Sequence, residues 1–477
     1  MNTLKGVVKN TAVRTGAEVL NFALSAIFLI YVARHLGSED FGKYSFTLSF
    51  AALFIIFTDM GLHTIFIREI VKEREGTSKL LGNILVIKFI LAFAYFFLLY
   101  ITINLMHYPH ETKNLICIMG VFVFGTSILD LFNSLFRAYE RMEYEALIMF
   151  LNRFAVVIFG IITLYLGYGL KAFLIAILIA NLLMIFPSSF LAFKKFSVPR
   201  FEMDKVLWKH LFKEAIPVGL MMGFTAIYLK IGIVILSIVK GNSAVGLYSA
   251  PHRLLEALII FPTFFLAALF PVFTRFHQSS RDSLFKAYEG SFKLLLILIL
   301  PIAVAMTVIS DKFTIIIFGM EFIQSAIVLR ILIWACLLMS LNTLLSYLII
   351  AIGKQHFNII SFGISALTSV ILNVLLIPSY SYVGTSLALV GSQIILFIFS
   401  FSFVSSQLSR LTLHRIIIKP LLSSLIFGGL LWYINCLNLF LLILLGMIFY
   451  FSILILFRTF SQEDILRIKS LFKLQKI

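Results

Sequence analysis

Charge is what this chain has least of. Only 13% of its 477 residues are Asp, Glu, Lys or Arg, against about 25% in ordinary globular domains. That is too few to cover a water-facing surface, which excludes a soluble enzyme. Cysteine is scarcer still. Cys117, Cys336 and Cys436 all sit inside apolar stretches, and their spacing supports neither a disulfide framework nor a thiolate metal site. The phosphate-binding loop G-x-x-x-x-G-K-[ST] is missing, and so is the metal pair H-E-x-x-H. ATP hydrolysis is therefore not expected, no cofactor or metal is expected, and the driving energy has to come from a gradient or from the substrate. No expected outer connection is much longer than the stretch around 311–324, which leaves no room for a large external catalytic domain.

What the chain does have is apolar sequence. Apolar residues make up 61%, the mean hydropathy is +1.04, and windows of about 20 apolar residues, enough to cross ~30 Å of hydrocarbon, recur almost end to end. Backbone polar groups cannot stay unpaired in lipid, and these runs are too long and uniform for alternating barrel strands, so the spans are helices and the fold class is all-α. The pattern divides into about fourteen spans, near 11–33, 44–67, 80–105, 115–136, 146–168, 172–193, 211–238, 248–273, 287–310, 325–351, 357–377, 383–406, 416–434 and 438–458. Lys5 and Lys9 precede the first run like a signal n-region, but the run is too long for a signal and lacks a small-residue cleavage site, so it reads as a retained first helix.

Basic residues report orientation, because they are retained on the cytoplasmic side. With the N-terminus inside, 26 Lys and Arg fall in or beside the inner segments, while the outer loops hold six: Arg34, Lys43, Lys113, Lys171, Lys240 and Lys312. Both termini are accordingly expected in the cytoplasm. The net charge of +17 is then a basic surface facing anionic headgroups, and no nucleic-acid partner is needed to explain it.

The longest inner connection, 194–210, carries Lys194, Lys195, Arg200, Lys205 and Lys209 and falls between the sixth and seventh spans. It divides the chain into an expected six-helix lobe (1–193), a cytoplasmic linker (194–210), a second six-helix lobe (211–406), and two extra helices with a tail (407–477). A weak repeat supports related halves. Phe41-Gly42-Lys43-Tyr44-Ser45 returns as Val245-Gly246-Leu247-Tyr248-Ser249 at an offset of 204, and Gly169 has a counterpart in Gly384 at an offset of 215. Six spans separate each pair, so the halves are expected to be related by an axis along the membrane normal.

Among the charges inside the spans, the candidates are seven basic side chains, Arg14, Lys88, Arg153, Lys230, Arg253, Lys293 and Arg330, with four acids, Glu18, Asp59, Asp130 and Glu256. Each charge at membrane depth costs at least ~2.5–3.5 kcal/mol, so it faces a wet cavity or a partner. Helical spacing aligns Arg14, Glu18, Asn21 and Ser25 along one stripe, Thr126, Asp130, Asn133 and Arg137 along another, and Ser249, Arg253 and Glu256 for one turn. Two readings stand for most of these. Arg14 and Arg137 lie near helix ends, from which they can snorkel to the interface, as Lys293 can. Arg14–Glu18 and Arg253–Glu256 can be helix-stabilising ion pairs. Lys88, Lys293 and Arg330 read as lone charges, and Arg153 and Lys230 are the hardest to dismiss as interfacial. Asp59 precedes Gly61 and His63, so that a carboxylate and an imidazole one turn apart can carry a proton or simply clasp a neighbouring helix. Pro187, Pro217, Pro262 and Pro301 fall inside spans and are expected to kink them.

The run Tyr31-Val32-Ala33-Arg34-His35-Leu36-Gly37, then Phe41 to Ser45, Asp59-Met60-Gly61-Leu62 and Arg68-Glu69-Ile70 resembles the polysaccharide-transporter family of lipid-linked oligosaccharide flippases, part of the multidrug/oligosaccharidyl-lipid/polysaccharide exporter superfamily. Phe136-Arg137-Ala138-Tyr139-Glu140-Arg141 and the stretch Phe318-Gly319, Phe322, Ser325, Leu329 and Arg330 are similar too, while Met60 stands where an aromatic or aliphatic residue is expected. The resemblance implies two six-helix bundles around a central cavity, two added helices, and outward movement of lipid-pyrophosphate-linked glycans in a bacterial cytoplasmic membrane. A glycan polymerase and chain-length machinery are the further partners it implies. By location in the spans, the family's cationic cavity maps onto the seven basic residues, and ion coupling onto Glu18, Asp59, Asp130 and Glu256. The physical reading agrees: a pyrophosphate leaving the headgroup layer needs cations to offset its desolvation. Two alternatives stay open. A cation-coupled drug exporter of the same superfamily should need acidic cavity residues, and a membrane glycan polymerase or ligase should expose an outer catalytic loop.

Overall fold

A computed structural model describes residues 2–456 except 107, 410, 435 and 436, without the side chains of 2–15, 415, 440, 447 and 455. The apolar runs form sixteen α-helices among the described residues, which hold no strand. In order they are α1 Asn2–Leu53, α2 Ile56–Asp59, α3 Leu62–Lys72, α4 Thr77–Leu105, α5 His110–Ala138, α6 Met142–Tyr165, α7 Gly169–Leu183, α8 Ile185–Lys195, α9 Lys205–Lys240, α10 Asn242–Leu258, α11 Ile260–Ser279, α12 Arg281–Phe318, α13 Ser325–Ala351, α14 Gln355–Gln407, α15 Leu413–Tyr433 and α16 Leu439–Leu456.

Eleven helical stretches among the described residues are long and apolar enough to cross a membrane. Two of them are too long to be one span. At 1.5 Å per residue, α1 and α14, with 52 and 53 residues, would each run about 80 Å, more than twice the hydrocarbon thickness. Each is two helices meeting at one residue, Gly37 (φ 69°) and Ser381 (φ 50°). With the shorter apolar helix Leu441–Leu454, the count comes to the fourteen expected. The sequence suggested loops at 34–43 and 378–382; the chain instead reverses at single residues, and the polar residues beside them continue the helices.

The second span departs further from expectation. It breaks at 54–55 and again at Met60 (φ 50°) and Gly61 (φ 82°), where left-handed backbone ends α2 and starts α3. The four prolines expected to kink their helices divide into two classes. Proline clashes with the carbonyl four residues earlier, and α7 ends at Leu183, four before Pro187, as α10 ends at Leu258, four before Pro262. Pro217 and Pro301 lie within the continuous helices α9 and α12.

The helices pack into two compact units, one of Met1–Ala250 with Ser369–Thr385, the other of Pro251–Thr368 with the chain from Ser386 on. In the first, Leu62, Ile65, Phe66 and Ile70 of α3 close a core with Leu81 and Ile84 of α4, Leu131, Leu135 and Phe136 of α5, and Leu211 and Ala215 of α9. In the second, α12 packs against α13 and α15, and Phe427, Leu431, Leu442, Tyr450 and Leu454 of α15 and α16 gather on Ile297 and Ile309. Tyr450 donates to the Ile297 carbonyl at 2.7 Å.

The connection 196–204 lies along α4 of the first unit. The Arg200 amide donates to the Ser78 carbonyl at 2.9 Å, and a Cβ at Gly82 would strike the Arg200 backbone. Asp204 caps α9 by accepting from the Val206 and Leu207 amides at 3.0 Å and pairs with Lys79 at 2.6 Å. The Lys79 hydrogen bond first, and the Leu207 amide second, hold the Asp204 carboxyl below the usual carboxylate range.

Candidate functional site

The break in the second span is where charge is buried. Asp59, the last residue of α2, is 5% exposed, and Lys88 of α4 is wholly buried. Lys88 Nζ lies 2.5 Å from Asp59 Oδ1, 2.6 Å from Ser127 Oγ and 3.1 Å from the Ser127 carbonyl. The Thr58 carbonyl lies at 3.4 Å, so an ammonium with three protons and no acceptor has oxygens enough around it to satisfy every proton. Ser127 of α5 in turn donates to the Thr58 carbonyl at 3.0 Å. The other Asp59 oxygen lies 2.5 Å from His63 Nδ1, and His63 Nε2 is 3.1 Å from Thr64 Oγ1. The His63 side chain is 28% exposed. One carboxylate is thus held between an ammonium sealed in the core and an imidazole that reaches the surface.

The same break touches α9. A Cβ on Gly61 would meet Val218 Cβ at 2.8 Å and the Ala215 carbonyl at 3.0 Å, and one on Gly219 would meet the Met60 carbonyl at 2.7 Å. The two backbones approach this closely because both positions are glycine. Just beyond, Arg68 pairs with Glu214 at 2.9 Å, and Glu69 is bonded by Lys72 at 2.7 Å and faces His210 at 3.6 Å. The second span and α9 also border an apolar cavity of about 330 Å³, lined by Leu53, Phe54, Ile56, Phe57, Leu220, Gly223, Phe224, Ile227 and Ile231.

The other expected site residues are spread through the fold. Lys88 and Arg330, read from the sequence as lone charges, are not lone. Lys88 has Asp59, and Arg330 at the start of α13 is bonded to Asp311 and, at 2.5 Å, to Ser310 Oγ. Arg253 takes the ion-pair reading, with Glu256 at 3.4 Å and His252 3.8 Å from the same carboxylate. Arg137 is bonded to the wholly buried Glu145 of α6. Arg153, Lys230, Lys293 and Glu18 are partly buried and each engaged in an interaction. Asp130 is exposed, one turn beyond Ser127. The Arg14 side chain and Cys436 lie outside the described residues. Among those residues no cluster of His, Cys, Asp and Glu has the makings of a metal site.

Fold comparison and sequence comparison converge. The structure aligns with the lipid II flippase MurJ in an inward closed conformation, with a TM-score of 0.77, 16% identity, and 93% of this chain and 98% of the other covered. An inward-facing multidrug resistance MATE family transporter of the MOP superfamily aligns with a TM-score of 0.67 at 16% identity, covering 83% and 98%. The sequence profile of the polysaccharide biosynthesis protein family matches residues 7–277, more than half of the chain. The chain belongs to that family. Two curated relatives accompany the profile. An uncharacterized membrane protein of Methanocaldococcus jannaschii is 24% identical over 430 residues, 83% of this chain and 84% of its own. The probable low-salt glycan biosynthesis flippase Agl15 of Haloferax volcanii is 25% identical over 243 residues, 49% of this chain and 52% of its own. The family resemblance read from the sequence is therefore borne out: this is a multi-pass membrane protein of the polysaccharide biosynthesis protein family.

For this family member, the matched residues 7–277 contain the whole Lys88–Asp59–His63 chain and the glycine contact with α9. Sequence reasoning picked out Asp59, His63 and Lys88 but missed Ser127 and Thr58. A serine in an apolar helix is too common to stand out, and Ser127 is identifiable only by lying beside Thr126 on the stripe that carries Asp130. Glu145 and Glu214 were also missed: Glu145 sits in the first turn of α6, just before the expected span, and Glu214 in the third turn of α9, near the start of its expected span.

Proposed function

We propose that this chain is a flippase that carries polyprenyl-pyrophosphate-linked oligosaccharide from the inner to the outer leaflet of the cytoplasmic membrane by alternating access. The N-terminal lobe (1–193) and the second lobe (211–406) are the moving parts, both termini are cytoplasmic, and a glycan polymerase and chain-length machinery act downstream. The observation that carries the reading is the family profile over residues 7–277. The glycan flippase Agl15 among the relatives and the excess of basic over acidic residues in the spans support it. An isolated pyrophosphate in a low-dielectric site requires cations, which Arg supplies as a bidentate fork and Lys as a point charge.

Headgroup contact is assigned to Arg153 and Lys230 first, with Arg14, Arg253, Lys293 and Arg330 behind them and the wholly buried Lys88 last. Ion coupling is assigned to Asp59 through His63, ahead of Glu18, Asp130 and Glu256. The test is a strain whose only copy carries R153A and K230A together. Surface glycan should fall at least tenfold, with lipid-linked oligosaccharide accumulating on the inner leaflet while the protein remains at normal level in the membrane. Normal glycan display would end the assignment.

A further inference from the structure

The repeat seen in the sequence is also a contact in the structure. A Cβ built on Gly42 would fall inside van der Waals distance of the Asn242 carbonyl, and one on Gly246 would do the same to the Ser38 carbonyl. Gly42 and Gly246 are related by the 204-residue offset, and so are Ser38 and Asn242. Exchanging the two copies therefore maps the contact onto itself, as in an isologous interface between identical subunits. Burial follows the same correspondence. Phe41 and Val245 are wholly buried, and Ser45 and Ser249 are 0% and 1% exposed. Ser38 Oγ and Ser243 Oγ lie 3.4 Å apart across the crossing. The start of α10 is fixed by Tyr108, which donates to Ser237 Oγ at 3.2 Å, and by Ser237, which donates to Asn242 Oδ1 at 3.3 Å.

Each helix offers a small or polar residue and a glycine four positions apart, the spacing that lets two membrane helices touch backbone to backbone. At its two glycines such a crossing is backbone against backbone. It can part and re-form as a rigid-body step, with no side chain needing to change rotamer. At the other end of the same span, Gly61 and Gly219 make the second close contact, with α9. The apolar cavity lies between the two along both chains, since Leu53 to Phe57 fall between Gly42 and Gly61, and Leu220 to Ile231 between Gly219 and Asn242.

We propose that the self-complementary crossing of Gly42 and Gly246 is the closure that seals the transport path on the outer side, that it must part for the substrate to leave, and that the Gly61–Gly219 contact is its inner counterpart. This rests on the transport reading above, and it assigns the repeat a mechanical role: both halves contribute the same motif to one seal. A Cβ on either repeat glycine holds the outer seal open, and a covalent bond across Ser38 and Ser243 holds it shut.

Two measurements test this in a C117A/C336A/C436A background. In the first, the S38C/S243C pair is oxidised in cells; the disulfide should form, surface glycan delivery should fall at least tenfold, and reductant should restore it. In the second, I227C reports the cavity through a membrane-impermeant maleimide added outside intact cells, and G42A or G246A should raise its labelling several-fold. Failure of the pair to cross-link, undiminished delivery in the oxidised protein, or unchanged I227C labelling in both glycine variants would overturn the inference. If surface glycan proves independent of this protein altogether, the transported substrate is wrong, and cross-linking and labelling still decide the seal. Should G42A not reach the membrane, G246A and the disulfide arm carry the decision.

Discussion

Removing Lys88 is the most informative perturbation of the buried chain, because its ammonium is wholly buried and bonded to Asp59, Ser127 and the Thr58 carbonyl. Two unit charges about 4 Å apart attract by about 4 kcal/mol at an effective dielectric near 20, and most of that offsets the desolvation of both groups. The pair as a whole is therefore worth little, while either half alone is costly. In Lys88→Met, Asp59 keeps only His63, and the loss should be about 3–5 kcal/mol. In Asp59→Asn, an ammonium at 0% exposure keeps its neutral acceptors on Ser127 and Thr58 but no counter-charge, and a loss of similar size follows. The double variant Asp59→Asn/Lys88→Met has no stranded charge. It should be more stable than either single variant, with at least about 2 kcal/mol of non-additivity between contacting residues. Detergent-solubilised protein, followed by intrinsic fluorescence as it unfolds, gives the ranking. Inactivation half-lives at one temperature give it too when unfolding is irreversible. If the losses of the two single variants simply add in the double variant, Lys88 and Asp59 do not act as a pair, and the reasoning fails.

Two further contrasts follow from the same geometry. Gly219→Ala places a Cβ 2.7 Å from the Met60 carbonyl, whereas the nearest atom to a Cβ on Gly223, one turn on, is Ile56 Cδ1 at 3.4 Å. The first should cost about 1–3 kcal/mol as overpacking against backbone and the second should be neutral or stabilising, since Ala is about 1 kcal/mol the better helix former; equal thermal midpoints would refute the contact. Likewise Arg137→Ala strands Glu145 at 0% exposure and should destabilise by about 3–5 kcal/mol. Arg330→Ala breaks a pair whose members are 39% and 55% exposed and should cost no more than about 1 kcal/mol, so a larger loss for Arg330→Ala than for Arg137→Ala in the same unfolding assay would reverse this ranking.

How much of this was legible in the sequence depends on the range of the interaction concerned. Span existence was legible throughout, because about 20 apolar residues in a row is a local property. The turns at Gly37 and Ser381 were not, since Arg34, Glu39, Asp40 and Lys43 read as loop composition although they belong to the helices on either side of Gly37. Nor was the break at Met60, a residue with no propensity for the left-handed backbone it adopts. Asp59, His63 and Lys88 were conspicuous as charges in apolar sequence, but their pairing crosses 29 residues, and nothing in the sequence says which cation meets which acid. Arg330 shows the converse: its partner Asp311 had been assigned to an outer loop, and the pair exists because α12 continues to Phe318.

The helix break gives the buried chain its mechanical meaning. Asp59 is the last helical residue before Met60 and Gly61, and those two residues supply the backbone that presses on Ala215, Val218 and Gly219 of α9. Whatever neutralises Asp59 loosens its bonds to Lys88 and His63 one residue away from that contact. Local electrostatics and close packing are then coupled through the two residues whose left-handed backbone interrupts the helix. A span that was a continuous helix from 44 to 67, as its hydropathy suggested, would spread the same change over several turns; the break confines it to the point where α9 leans on the chain.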